Sequence, residues 1–206
     1  MRTLIVFLIA TFLTSCDHKD RGVYKELSPI YGDITVRTSD DNKLRFYSWE
    51  DDRSGTASSY TNIAEYIDES GDIVRLEKPI AELITDKKEE FSPGYEVVRI
   101  FTTEQQESNY YIIVSHGKSS SGVGCGLIVA LQIHDNKLIP VHLFDDKPYI
   151  SYDYNFFDDK FETMSNEDFL NWSWLCRFDK STSTLHVRQF DKDGKLTEKY
   201  QEYKLK

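Results

Sequence analysis

The chain is poor in cysteine, proline and glycine, with 3, 5 and 10 residues respectively among 206. Three cysteines cannot build the dense disulfide framework of a small secreted scaffold. So few prolines and glycines leave no collagen-like period and no Pro/Gly-rich low-complexity block. Positive charge is also short: 25 Lys and Arg stand against 35 Asp and Glu, a formal net charge of −10. That balance argues against a nucleic-acid partner, whose phosphates are met by a basic patch. It argues equally against docking on anionic lipid by charge. No apolar run approaches the ~20 residues of a permanent membrane helix.

The longest apolar run is Leu4 to Leu13, preceded by the positive start Met1-Arg2. Its length and charged flank are those of a secretory signal h-region. Leu13-Thr14-Ser15-Cys16 follows: an aliphatic residue, two small residues, then cysteine. These residues resemble the lipobox of bacterial lipoproteins. The resemblance covers residues 1–16 only. It implies export, cleavage before Cys16, and a diacylglyceryl thioether on the Cys16 sulfur with acylation of the new amino terminus. Two or three acyl chains anchor stably where one is marginal. The expected membrane partner is therefore lipid, through acylated Cys16. Asp17 resembles the inner-membrane retention signal of enteric bacteria. Other phyla read that position differently, so either membrane stays open.

Beyond the signal, residues 16–28 begin polar and charged and read as a short tether. Residues 29–206 carry no repeat and no internal linker, and the length suits a single domain with a substantial core. The local signal is for strands. The 13 Tyr and 12 Phe fall largely in short runs with β-branched neighbours. Leu44–Trp49, Tyr95–Phe101, Asn109–His116, Gly126–His134, Trp172–Phe178, Thr184–Phe190 and Lys199–Leu205 are strand candidates. In the Trp172–Phe178 run, Trp172, Trp174, Cys176 and Phe178 share one predicted face and Leu175 the other. Turn residues separate the runs at Asp40-Asp41-Asn42, Ser70-Gly71-Asp72, His134–Lys137, Asp179–Thr182 and Asp191–Gly194. Helix signals are few: Pro79–Ile84, with proline leading, reads as a short helix or turn, and a short helix is expected after Ser165, whose capping-box pattern ends at Asp168. The expected fold is mainly β, an antiparallel sandwich or barrel-like meander of about ten strands with one or two short helices.

Cys125 and Cys176 are the cysteines left once Cys16 is lipidated, and an oxidising compartment invites a bridge between them. Both also sit at core-like positions, so a disulfide and two buried thiols both stay open. The Asp191-Lys192-Asp193-Gly194 stretch looks like part of a calcium loop. Gln189 and Tyr200 occupy positions where ligands are needed, which favours a plain turn. Two polar loops are candidate binding elements. One is Lys118-Ser119-Ser120-Ser121 within Gly117–Gly124, and the other is Ser54-Gly55-Thr56 within Ser54–Tyr60. Neither is a phosphate loop: in the first, the lysine precedes the glycines and a strand follows. Placed at one end of a sheet, the two loops would frame a binding surface. His116, His134, His142 and His186 lie apart on the chain and make no metal-ligand pair.

Tyr149, Tyr152, Tyr154, Phe156, Phe157, Trp172 and Trp174, with Asp153, Asp158 and Asp159 among them, form an aromatic–acidic region. Exposed aromatics beside acids stack on sugar rings, whereas buried ones are core. No motif implies a catalytic residue, metal or cofactor. The leading reading is a membrane-anchored envelope lipoprotein whose non-enzymatic β domain binds a partner protein or glycan. The alternative is an envelope hydrolase, glycosidase-like, using carboxylates of the aromatic-rich region.

Overall fold

The computed structural model describes residues 33–50, 57–76, 94–105, 108–145, 147 and 149–205. Leu13, Thr14, Ser15, Cys16, the tether, Ser54, Gly55, Thr56 and the Pro79–Ile84 helix candidate lie outside the described residues. Among the described residues, twelve strands and two short helices make a mainly β, antiparallel protein.

Strands β1 (Thr35–Thr38), β2 (Leu44–Glu50), β3 (Tyr60–Ile67) and β4 (Ile73–Leu76) form a four-stranded meander. The central sheet holds β5 (Glu96–Gln105), β6 (Ser108–Lys118), β7 (Val123–His134) and β8 (Lys137–Pro140) in that order. Strand β9 (Tyr149–Asn155) joins the same sheet through β7. The edge of β7 is long enough for two partners: β9 pairs with Val123–Val129 and β8 with Leu131–His134. Helices α1 (Asp159–Glu162) and α2 (Asn166–Leu170) then lead to a third sheet of β10 (Cys176–Asp179), β11 (Thr184–Phe190) and β12 (Leu196–Lys204). The three sheets are open, so the arrangement is layered and the barrel-like option is not taken.

Residue alternation explains the layering. Along β6, Tyr111 and Ile113 join one core while Ile112 and Val114 join the other. Along β7, Leu127, Val129 and Leu131 face the first core, and Ile128 and Ala130 the second. The central sheet is thus buried on both faces, as its near-continuous apolar runs require. The first core is completed by Leu44, Phe46, Ala64 and Tyr66 of the first sheet. The second is completed by Cys176, Leu185, Val187 and Leu196 of the third. A β-bulge between Val97 and Arg99 shifts the phase of β5, so Val97 and Ile100 share one core and Val98 and Phe101 the other. The bulged Val98 carbonyl accepts a hydrogen bond from Arg37 Nε at 2.9 Å, which ties β1 to β5.

The turn chemistry follows the residues. Asp135 and Asn136, both at positive φ (49° and 58°), close the β7–β8 hairpin as a two-residue turn, the conformation that Asp and Asn tolerate. Ser165 caps α2 by accepting from Asp168 N at 3.1 Å, while its own hydroxyl donates to the Asp168 carboxylate at 2.8 Å. The Trp172–Phe178 strand starts later than its pattern suggests. Residues 172–175 are turn, and β10 begins only at Cys176. The close of α2 takes up the backbone there. Trp172 N donates to Phe169 O, Ser173 N to Asp168 O, and Cys176 N to Trp172 O, with Trp172 at φ 56°. Leu175, expected to face away, is instead fully buried beside Trp174 and Cys176.

Candidate binding cleft

Gly124 and Gly126 stand on β7 facing the second core, and β9 runs beside them, pairing Gly124 with Tyr154 and Gly126 with Tyr152. With no side chains on those glycines, the two tyrosine rings lie across β7 and reach β6. A Cβ at Gly124 would meet the Tyr154 ring, and one at Gly126 the Ser115 carbonyl and the Tyr152 hydroxyl. Tyr152 Oη donates to Ser115 O at 2.6 Å. Tyr154 Oη and His116 Nδ1 are hydrogen-bonded at 3.1 Å. Burial lowers His116 from 6.5 to about 4, so its imidazole is neutral at ordinary pH. The same burial raises both phenols above 10. Around the histidine, Trp172 packs at 4.7 Å between ring centroids, Tyr154 at 5.9 Å and Phe156 at 6.0 Å.

At the open end of this aromatic stack lies a cleft of about 380 Å³. Three segments distant in sequence line it: Gly122 of the β6–β7 loop with Val123 at the start of β7, then Asp153, Tyr154, Asn155 and Phe157, and Asp193-Gly194 of the β11–β12 turn. Backbone bonds hold the segments together, with Phe156 N donating to Gly122 O at 3.0 Å and Asn155 N to Gly194 O at 2.8 Å. Asp158 fastens the underside. Its buried carboxylate accepts Lys160 N at 3.0 Å, capping α1, and Leu196 N at 2.6 Å, tying α1 to β12. The Phe157 ring rests over Gly122 and is 74% exposed. Val123 is also exposed beside it. The concavity is mostly apolar, with Asp153, Asn155 and Asp193 among the residues that border it. Such a surface can stack on the apolar face of a ligand and hydrogen-bond its hydroxyls.

The sequence-flagged residues fall in and around this cleft unevenly. Ser119, Ser120 and Ser121 form the loop beside it, where Ser119 N and Ser120 N donate to Val123 O at 3.0 and 3.4 Å. Lys118, at the end of β6, bridges to Ser58, with Ser58 N donating to Lys118 O at 2.9 Å. The described end of the second polar loop therefore adjoins the first. The calcium-like stretch is a turn: Asp191 Oδ1 accepts Asp193 N and Lys195 N, both at 2.9 Å, so that carboxylate is occupied by its own loop. Among the described residues, no group of three or more His, Cys, Asp or Glu is placed to hold a metal. Cys125 and Cys176 are free, buried thiols. Burial pushes Cys176 up to about 12 and raises Cys125 as well, which makes both poor nucleophiles. The His116–Tyr154 pair was not foreseen. Its signal was the Gly-Cys-Gly spacing of β7 opposite Tyr152 and Tyr154, meaningful only once β9 is known to pair there. No protein-family model, curated protein or solved structure matches the chain.

Proposed function

We propose that the chain is a lipid-anchored envelope protein whose non-enzymatic β domain binds a glycan in the Phe157 cleft. The observation that carries this reading is Phe157, a large aromatic ring left 74% exposed at the rim of a mostly apolar concavity bordered by Asp153 and Asp193. Leaving a ring of that size in water forgoes about 2 kcal/mol of burial, a cost that a stacked sugar ring recovers. The anchor in this reading is acylated Cys16. Among the described residues, no helix is long and apolar enough to cross a membrane.

The test is a pull-down of envelope glycans and envelope proteins with the full chain and its Phe157→Ala variant. Glycan recovery lost in the variant supports the reading. Equal recovery by both, or no glycan at all, counts against it. Asp153 and Asp193 line the same cleft, so the glycosidase alternative makes its own forecast. New reducing ends would accumulate with the native chain and not with Asp153→Asn. For the anchor, Cys16→Ala is expected to abolish lipid labelling and release the chain from membranes. Unchanged membrane association would contradict it.

A further inference from the structure

The walls of the Phe157 cleft are mostly apolar because their backbone groups are bonded to one another. Gly122 O accepts Phe156 N, Gly194 O accepts Asn155 N, and Val123 O accepts the amides of Ser119 and Ser120. Asn155 O accepts Asp158 N at 3.3 Å, and Asn155 Oδ1 accepts Phe157 N at 2.9 Å. The donors are engaged in the same way. Gly122 N donates to Ser120 Oγ at 3.4 Å, Gly194 N to Asp191 O at 3.1 Å, and Asp193 N to Asp191 Oδ1 at 2.9 Å. The hydroxyl of Tyr154 is spent on His116.

What the walls expose to a ligand is carbon: the Val123 side chain and the Phe157 ring, which rests against Gly122. Polar side-chain groups remain at the border. They are the Asn155 amide nitrogen, a donor, and the carboxylates of Asp153 and Asp193, which are acceptors. A plain polyol suits such a site poorly. One face of a sugar ring can stack on Phe157, but hydroxyls turned toward the walls lose water without gaining partners. A methyl group set against Val123 and Phe157 loses nothing there and leaves water. An amide beside that methyl brings one N–H and one C=O, the complement of a carboxylate and the Asn155 nitrogen.

We propose that the sugar unit held in this cleft is an N-acylated amino sugar, with its acyl methyl seated against Val123 and Phe157. The proposal rests on the reading of the cleft as a glycan site and names the class of sugar. An acetamido group meets each demand of the site at once: a methyl for the apolar wall, an N–H for a border carboxylate, and a carbonyl for the Asn155 amide.

The experiment is a calorimetric titration of the full chain with three disaccharides of the same linkage. These are N,N′-diacetylchitobiose, chitobiose with free amines, and cellobiose with hydroxyls at the same positions. Diacetylchitobiose is expected to bind at least about tenfold more tightly than either of the others, the discrimination an apolar pocket achieves for a small alkyl group. Val123 is exposed, so Val123→Ser keeps the fold. That variant is expected to cut the preference to under about threefold. Four results overturn the N-acyl assignment: no binding of diacetylchitobiose, equal binding of cellobiose, tighter binding of chitobiose, or a preference unchanged in Val123→Ser. The glycan reading stands or falls separately. It survives any of these results if fragments of the envelope glycan still bind in a Phe157-dependent way, and it falls if they do not.

Discussion

Where the central sheet meets β2 and β3, its surface is closed by Tyr111, Ile113, Leu127, Val129 and Leu131 packed on Leu44, Phe46 and Tyr66. Where it meets the third sheet, it carries His116, two buried tyrosines and two glycines in place of side chains, covered by Trp172 and Trp174, whose rings lie tilted 5.1 Å apart. The first face is mainly aliphatic, and its two buried tyrosines turn their hydroxyls outward, Tyr111 donating to Asp41 and Tyr66 to Asn136 O. The second depends on particular hydrogen bonds and particular absences of side chain, and it leads outward to the cleft at Phe157. Both faces come from the same strands, so alternate residues of β6 and β7 do different work. Packing density decides one face, and placed polar groups decide the other.

The largest expected effect lies on the polar face. Gly126→Val would drive two methyls into the Ser115 carbonyl and the Tyr152 hydroxyl, and is expected to cost more than about 4 kcal/mol or to prevent folding. Urea unfolding measures it, and a cost under about 1 kcal/mol would mean that the glycine notch is not needed. On the aliphatic face, Ile113→Ala is expected to cost about 3 kcal/mol, since Ile113 is fully buried, and by about the same amount at every pH.

The two faces should also separate by pH. His116 titrates near 4 when folded, whereas an unfolded histidine titrates near 6.5. Its folded pKa is lowered, so the unfolded chain binds the extra proton between those values. Stability is then full above pH ~6.5 and falls as pH drops toward about 4, by up to about 3 kcal/mol. His116→Asn should flatten that window and Ile113→Ala should not. An unchanged slope in His116→Asn would show that the histidine does not control it. Carboxylates held low by hydrogen bonds add their losses at lower pH: Asp168 through Ser173 and Ser165, and Asp191 through the Lys195 and Asp193 amides. Tyr154→Phe removes the hydrogen bond to His116 and is expected to cost about 1 kcal/mol by the same unfolding measurement.

These contrasts also explain how far the sequence could be read. The apolar runs of β2, β6 and β7 announce strands because both their faces are buried, and Asp135-Asn136 and Ser165 announce their turn and cap through chemistry local to the chain. Strands β1 and β4 are four residues each at sheet edges, too short and too little buried to leave a pattern. The Trp172–Leu175 segment reads as alternating apolar residues, yet hydrogen bonds from the end of α2 outweigh the strand pattern. The cleft was legible only in pieces. Its aromatic residues, its serine loop and its Asp-Gly turn each stood out, but their meeting depends on β9 pairing with β7 and on Asn155 bonding to Gly194. Pairings between segments so far apart leave no local trace.

The smallest expected effect on stability is the most telling for function. Phe157→Ala removes an exposed ring and is expected to change stability by less than about 0.5 kcal/mol while abolishing glycan binding. The most direct measurement is amide shift mapping of the full chain with soluble fragments of its envelope glycan. Saturable shifts are expected at Val123, Asn155, Phe157 and Gly194, absent in Phe157→Ala, with the β2 and β3 amides unmoved. Shifts confined to β2 and β3, or none at all, would contradict it.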